Sequence, residues 1–205
     1  MIAIVKYDAG NIGSVTNALN RLRVENKVTD DPAELRAADK VIFPGVGEAG
    51  TAMKYLRDRG LDKVLVELTQ PFLGICLGMQ LMCNHSEEGN TKCLGIFDTD
   101  VKLFKSTEFK VPHMGWNSLS YELGVQSSES LLTNNSKLLT NIQGSSDVYY
   151  VHSYYAEICD DTAGVCDYIL PFSSVLQKDN FYATQFHPEK SAGVGEQILK
   201  NFIEL

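Results

Sequence analysis

The first third of the chain repeats one pattern: a short apolar run of β-formers, then apolar residues at helical spacing. Ile2-Ala3-Ile4-Val5-Lys6-Tyr7 reads as a buried strand. Asn11 to Arg23 follows, with Ile12, Val15, Leu19 and Leu22 spaced for one helical face. Lys27-Val28-Thr29 predicts a second strand. Asp31-Pro32-Ala33-Glu34 predicts a helix start, with Asp31 as N-cap, proline at the first position and Glu34 at the third. Lys40 to Phe43 predicts a third strand, residues 50–69 one or two helices, and Phe72-Leu73-Gly74-Ile75 a fourth strand. Strands separated by helices need right-handed crossovers. They give a parallel sheet covered on both faces.

After about residue 90 the texture changes. Segments 96–105, 111–121 and 147–158 carry β-formers with fewer helical intervals. Ser173 to Gln185 predicts a hairpin turning at Asp179-Asn180, and Val194, Ile198, Leu199, Phe202 and Ile203 mark a final amphipathic helix. Region 122–147 is polar and rich in Ser and Asn, so a long surface loop or weakly ordered helix is expected there. No repeat or linker divides the 205 residues, and 44% of them are apolar, enough for a sizeable core. The expectation is one α/β domain over 1–205, with a mostly parallel central sheet flanked by helices and antiparallel strands added in the C-terminal half.

Charge narrows the partners. Net charge is −8, from 18 Lys+Arg against 26 Asp+Glu, and no segment concentrates the basic residues. A nucleic-acid or anionic-membrane partner is not expected. The longest mostly apolar stretch, Phe72 to Cys83, is too short to span a bilayer, and nothing at the N-terminus marks secretion. A cytoplasmic location is expected. Five cysteines (Cys76, Cys83, Cys93, Cys159, Cys166) form no C-x-x-C pair, so free thiols are expected rather than a disulfide framework. Cys and His are not clustered at ligand spacing, so neither a metal nor another cofactor is expected.

The sharpest local feature is Gly74-Ile75-Cys76-Leu77-Gly78, where a buried strand meets a helical pattern. It is a nucleophile-elbow arrangement with Cys in place of Ser. The turn is too tight for flanking Cβ atoms, and the nucleophile is forced into a strained conformation that projects from the sheet. The following helix points its N-terminal dipole at the sulfur, and the Leu77 N–H is a natural oxyanion donor. A buried structural Cys in a tight turn would give the same string. A base must accompany a nucleophile, and four histidines are available. His85 reads as a surface residue, and His113 and His152 fall in strand-like segments. His187 lies in Gln185-Phe186-His187-Pro188-Glu189, where alternation in an extended segment turns His187 and Glu189 to one side. Pro44-Gly45-Val46-Gly47-Glu48, after the third strand, could turn backbone N–H groups toward a ligand. It does not match G-x-G-x-x-G or a P-loop.

These three pieces in this order resemble the class I (triad) glutamine amidotransferases, a flavodoxin-like family. The resemblance covers essentially the whole chain. Within the family it narrows through Tyr7-Asp8-Ala9-Gly10-Asn11, Pro44-Gly45-Val46-Gly47, Pro112-His113-Met114-Gly115-Trp116-Asn117 and Tyr150-Val151-His152-Ser153-Tyr154, and His187-Pro188-Glu189-Lys190-Ser191 also fits. It implies Cys76 as nucleophile, His187 as base and later acid, and Glu189 as orienter. Leu77 and the Val46–Gly47 peptide would supply oxyanion N–H groups after the Pro-Gly-Val-Gly loop reorients. Gly47, Gln80, His152 and Ser153 would hold glutamine, although Gln80 also reads as a helix-packing residue. The implied partner is a (βα)8-barrel cyclase subunit in a heterodimer. It would consume the ammonia to make imidazole glycerol phosphate and an aminoimidazole carboxamide ribotide, in histidine biosynthesis. Met114, Trp116 and Lys190 would face that partner; a buried core Trp116 and a solvated Lys190 are the alternatives. Three other readings stay open on sequence: a glutaminase serving a sugar-amidating or anthranilate-type acceptor, a non-catalytic flavodoxin-like module, and a cysteine hydrolase of the same architecture.

Overall fold

The computed structural model describes residues 1–7, 11–120 and 136–205. Four strands, β1 (Ile2–Val5), β2 (Asn26–Thr29), β3 (Lys40–Phe43) and β4 (Phe72–Ile75), pair in parallel in the order β2-β1-β3-β4. Helices α1 (Ile12–Arg21), α2 (Pro32–Ala37), α3 (Ala49–Asp58) and α4 (Leu61–Val66) connect them. The α2 start is the one read from sequence: the Asp31 carboxylate accepts from Ala33 N at 2.7 Å and Pro32 opens the helix. Stretch 50–69 forms two helices because Gly60, with φ +66°, ends the first and begins the second. Alternate residues of each strand serve opposite faces. Ala3, Val5, Val41 and Phe43 join one core cluster, and Ile2, Ile4, Ile42 and Leu73 the other.

Helix α5 (Leu77–Met82) follows β4, and the remaining strands extend the sheet or form a second one. They are β5 (His85–Ser86), β6 (Thr91–Lys92), β7 (Asp100–Leu103), β8 (His113–Leu119), β9 (Ser146–His152), β10 (Tyr154–Ala156), β11 (Thr162–Asp167), β12 (Pro171–Lys178) and β13 (Phe181–Thr184). Past β4 the order is β13-β12-β10-β7-β5-β6, with β11 also paired to β12. The expected hairpin is β12–β13, turning at Asp179 and Asn180. Strands β8 and β9 make a separate antiparallel ribbon. Short strands β5 and β6 and strand β11 were not expected from sequence. His85, read as a surface residue, is half-buried in β5. Most of the polar region 122–147 lies outside the described residues; of the rest, Leu138 and Leu139 are buried and Ser146 begins β9.

One pairing sets up the site. β13 lies parallel to β4, with Thr184 opposite Ile75. The residues that follow these two strands therefore emerge side by side at the carboxyl edge of the sheet, although they are more than a hundred positions apart in sequence. That edge is where open α/β sheets present ligand-binding groups. The final helix, α6 (Ala192–Glu204), packs Ile198, Leu199 and Phe202 into the second cluster.

Candidate active site

Cys76 occupies the turn between β4 and α5 at φ 53° and ψ −108°, a conformation costly for any residue with a Cβ. Its N–H donates to Thr184 O at 2.8 Å, tying the turn to the neighbouring strand. The glycines on either side admit the backbone. A Cβ on Gly78 would fall on the Phe43 carbonyl oxygen, and one on Gly74 would press on the Met79 backbone nitrogen and the Met82 sulfur. Helix α5 can therefore start directly behind the sulfur.

His187 follows β13 and is pinned at its backbone. Its N–H donates to Tyr149 O at 2.9 Å, and its carbonyl accepts from Ser191 Oγ at 2.7 Å. Nδ1 lies 2.8 Å from Glu189 Oε1, and neither side chain has exposed surface. That leaves Nε2, which is buried without a hydrogen-bond partner among the described residues, for the thiol and for substrate. Burial alone would lower the His187 pKa. The Cys76 thiolate beside it, helped by Glu189, outweighs burial and raises it to about 10. His187 accordingly favours its imidazolium form at neutral pH.

Cys76 opens onto a cleft of about 280 Å³. Its walls come from Val46 and Gly47 after β3, from Leu77 and Gln80 of α5, from Glu88, and from Val151, His152, Ser153 and Tyr154. A buried cysteine beside a buried His–Glu pair and opening onto a small cleft can carry acyl transfer from an amide.

The family model for class-I glutamine amidotransferases matches residues 4–205. The chain belongs to the class-I glutamine amidotransferases. It is 57% identical over 206 residues to the imidazole glycerol phosphate synthase subunit HisH of Bacteroides fragilis, covering 100% of this chain and 99% of that one. It is 41% identical to the subunit of the same name from Pasteurella multocida, covering 99% and 97%. A solved glutamine amidotransferase structure superposes with a TM-score of 0.70 over 100% of this chain and 98% of that one, at 18% identity. That likeness is one of fold: a mixed α/β layer structure with a mostly parallel sheet.

In this amidotransferase the loop after β3 is folded onto the elbow. The Leu77 N–H, the oxyanion donor read from sequence, donates to Gly45 O at 3.3 Å. The Tyr7 hydroxyl fills the space where a Gly45 side chain would sit and donates to Pro44 O at 2.5 Å. Gly47 holds φ +137°, which L side chains rarely adopt. Gln80 is buried, and its amide nitrogen donates to Tyr154 O at 2.8 Å and Gln185 Oε1 at 3.1 Å. Packing and cleft lining therefore coincide in Gln80, and only its amide oxygen is left for a ligand. His152 is held from both sides, Nδ1 to Tyr154 O at 2.8 Å and Nε2 to His113 Nδ1 at 3.1 Å. Burial, opposed by the Tyr154 carbonyl, lowers its pKa to about 3, so the ring is neutral.

The three residues expected to face a partner lie together. Met114 and Trp116 on β8 are 63% and 54% exposed, so the core reading of Trp116 does not hold. The Trp116 ring meets Tyr149 edge-on at 6.1 Å, and Lys190 Nζ lies 6.0 Å from the Tyr149 ring. Tyr149 is the residue whose carbonyl holds the His187 backbone. The sequence reading missed Glu88. It lies just past α5 in an ordinary-looking Ser-Glu-Glu-Gly string, yet its carboxylate lines the cleft and accepts from Ala49 N at 2.8 Å. Burial is the main influence on its pKa and raises it. Asp8, Ala9 and Gly10 of the Tyr7–Asn11 segment lie outside the described residues. Among the described residues no helix is long and apolar enough to cross a membrane.

Proposed function

We propose that this chain, as one domain over 1–205, is the glutaminase subunit of an imidazole glycerol phosphate synthase in histidine biosynthesis. The observation that carries the reading is the interaction of Cys76, at the cleft, with the buried His187–Glu189 pair behind it. It occurs in a chain 57% identical over its whole length to a protein of that name. That identity favours this acceptor over a sugar-amidating or anthranilate-type partner.

The steps follow from the geometry. The Cys76 thiolate attacks the side-chain amide carbon of glutamine, and the oxygen becomes an oxyanion. The Leu77 N–H can serve that oxyanion once Gly45 O moves away, with a second donor from the Val46–Gly47 peptide. The tetrahedral adduct collapses as the His187 imidazolium gives its Nε2 proton to the departing nitrogen, releasing ammonia and leaving a γ-glutamyl thioester. His187, now neutral, takes a proton from water, which attacks the thioester. Glutamate leaves and the thiolate–imidazolium pair returns. Glu189 holds the ring in the Nδ1–H tautomer throughout. Glu88 and the Gln80 oxygen are placed to receive the substrate α-ammonium, and Ser153, beside His152, can meet its α-carboxylate.

Ammonia in bulk water near neutral pH is mostly ammonium and a poor nucleophile, so it must pass directly to an acceptor site on another polypeptide. We assign that site to a (βα)8-barrel cyclase docked on Met114, Trp116 and Lys190, the pair forming a cytoplasmic heterodimer. The test is glutamate release by the purified subunit alone, with the cyclase, and with the cyclase plus its nucleotide ligand. The reading expects slow release alone and strong stimulation by the loaded partner. Stimulation by a different barrel synthase and none by this one would refute the assignment.

A further inference from the structure

Glu189 has a second hydrogen-bond donor besides His187. The Asn11 side-chain amide donates from Nδ2 to Glu189 Oε1 at 2.6 Å, the same oxygen that lies 2.8 Å from His187 Nδ1. Asn11 Nδ2 is 3.4 Å from His187 Nδ1. Both nitrogens direct a proton at one oxygen, so this last distance is a contact between two donors sharing an acceptor. The other carboxylate oxygen, Oε2, is buried without a hydrogen-bond partner among the described residues. Among the described residues the grip on the carboxylate converges on a single atom.

The backbone around Asn11 supports a dedicated role. Asn11 stands at the N-cap of α1, yet its side chain makes no capping hydrogen bond. Asparagine is among the best capping residues, with a typical contribution of about 1 kcal/mol, and here that contribution is forgone. The residue also sits at φ 72°, in the left-handed region that asparagine tolerates better than most. A local rule is broken at both side chain and backbone. The compensation is a bond to a residue 178 positions away.

We propose that Asn11 is a positioning residue of the glutaminase site, which fixes Glu189 so that Oε1 receives the His187 Nδ1 proton and Nε2 stays aimed at Cys76. This rests on the triad reading given above. A carboxylate held only by the ring could turn about its terminal torsion, exchange its oxygens and let the ring swing with it. The bond from α1 removes that freedom. Asn11 touches neither the thiol nor, on this account, the substrate, so its loss should act on turnover and not on binding.

The experiment is a double-mutant cycle in the assembled glutaminase–cyclase complex with glutamine as substrate. Asn11→Gly removes the amide while keeping the left-handed backbone free of strain. Rates are expressed per active site titrated with a glutamine-like alkylating agent. We expect Asn11→Gly to lower kcat about 10–100-fold with KM essentially unchanged. In a Glu189→Ala background the same substitution should cost less than about threefold, because its target is gone. Asn11→Ser, which restores a capping hydroxyl too short to reach Glu189, should remain as slow as Asn11→Gly. A wild-type kcat in Asn11→Gly, an equal loss in both backgrounds, or recovery by serine would each overturn the proposal. Wild-type activity in Glu189→Ala alone would instead refute the triad reading beneath it.

Discussion

The Gly78→Ala substitution puts a number on the elbow. An alanine Cβ at this position would lie 1.8 Å from the Phe43 carbonyl oxygen and 2.9 Å from its carbon, where real Cβ atoms keep at least 3.0 Å. The obstacle is strand backbone, which cannot rotate away as a side-chain end can. Helix α5 must therefore shift off β3 by roughly 1 Å, and the sulfur at its N-terminus shifts with it. Overpacking of this kind costs about 1–3 kcal/mol. A displacement of about 1 Å at a reacting group costs about 10²-fold in rate. Gly13→Ala is the control: it also lies in a helix, but its Cβ would meet nothing within 4 Å, and alanine there should be neutral or stabilising by up to about 1 kcal/mol. Urea unfolding and glutamate release in the complex, per titrated site, read both quantities. A Gly78→Ala protein with wild-type stability and wild-type turnover would refute the close-approach argument.

Trp116→Ala should leave the melting temperature of the free subunit unchanged, since the side chain is half exposed, while weakening cyclase binding by about 2 kcal/mol or more in calorimetric titration. His187→Ala should lower kcat about 10²–10⁴-fold. Glu189→Gln should cost less, since an amide can still orient the ring without stabilising imidazolium; the reverse order in steady-state kinetics would overturn the two roles. Stability should fall in acid. His152 stays neutral in the native state down to about pH 3, while the unfolded chain takes up that proton below about pH 6.5. From that one group about 2 kcal/mol is lost by pH 5, with His113 acting in the same direction. His152→Gln should flatten the acid slope of a urea-unfolding series. His187 acts oppositely: its contribution is whole below pH 6.5 and is lost as pH rises toward about 10.

The parts of the fold that sequence revealed are those governed by local rules. Asp31-Pro32 specifies a helix start through one carboxylate and one missing N–H. The alternation in β1, β3 and β4 follows from burial on both faces. Strands β5 and β6 are two residues each, too short for a periodic signal, and β11 reads like any polar-apolar mixture until β12 pairs with it. In the site, the glycines at 74 and 78 carry their reason in the string, because only a tight turn needs both. Glu88 and Asn11 carry no such mark. Each acts through a partner distant in sequence, Ala49 for Glu88 and Glu189 for Asn11, and only the closed sheet brings those partners within reach. The exposure of Trp116 was equally hidden, since a strand with both faces mixed does not say which one meets solvent.

The most direct test of the account is Cys76→Ser in the assembled complex, supplied in turn with glutamine and with ammonium salt. A serine hydroxyl has far less anionic character than this thiol beside an imidazolium, so glutamate release and glutamine-dependent product formation should both disappear. Ammonia-dependent turnover by the cyclase should stay at its wild-type rate, because the proposed acceptor site is on the other subunit. Glutamine-dependent turnover near wild type would contradict the nucleophile assignment and, with it, the mechanism built on this cleft.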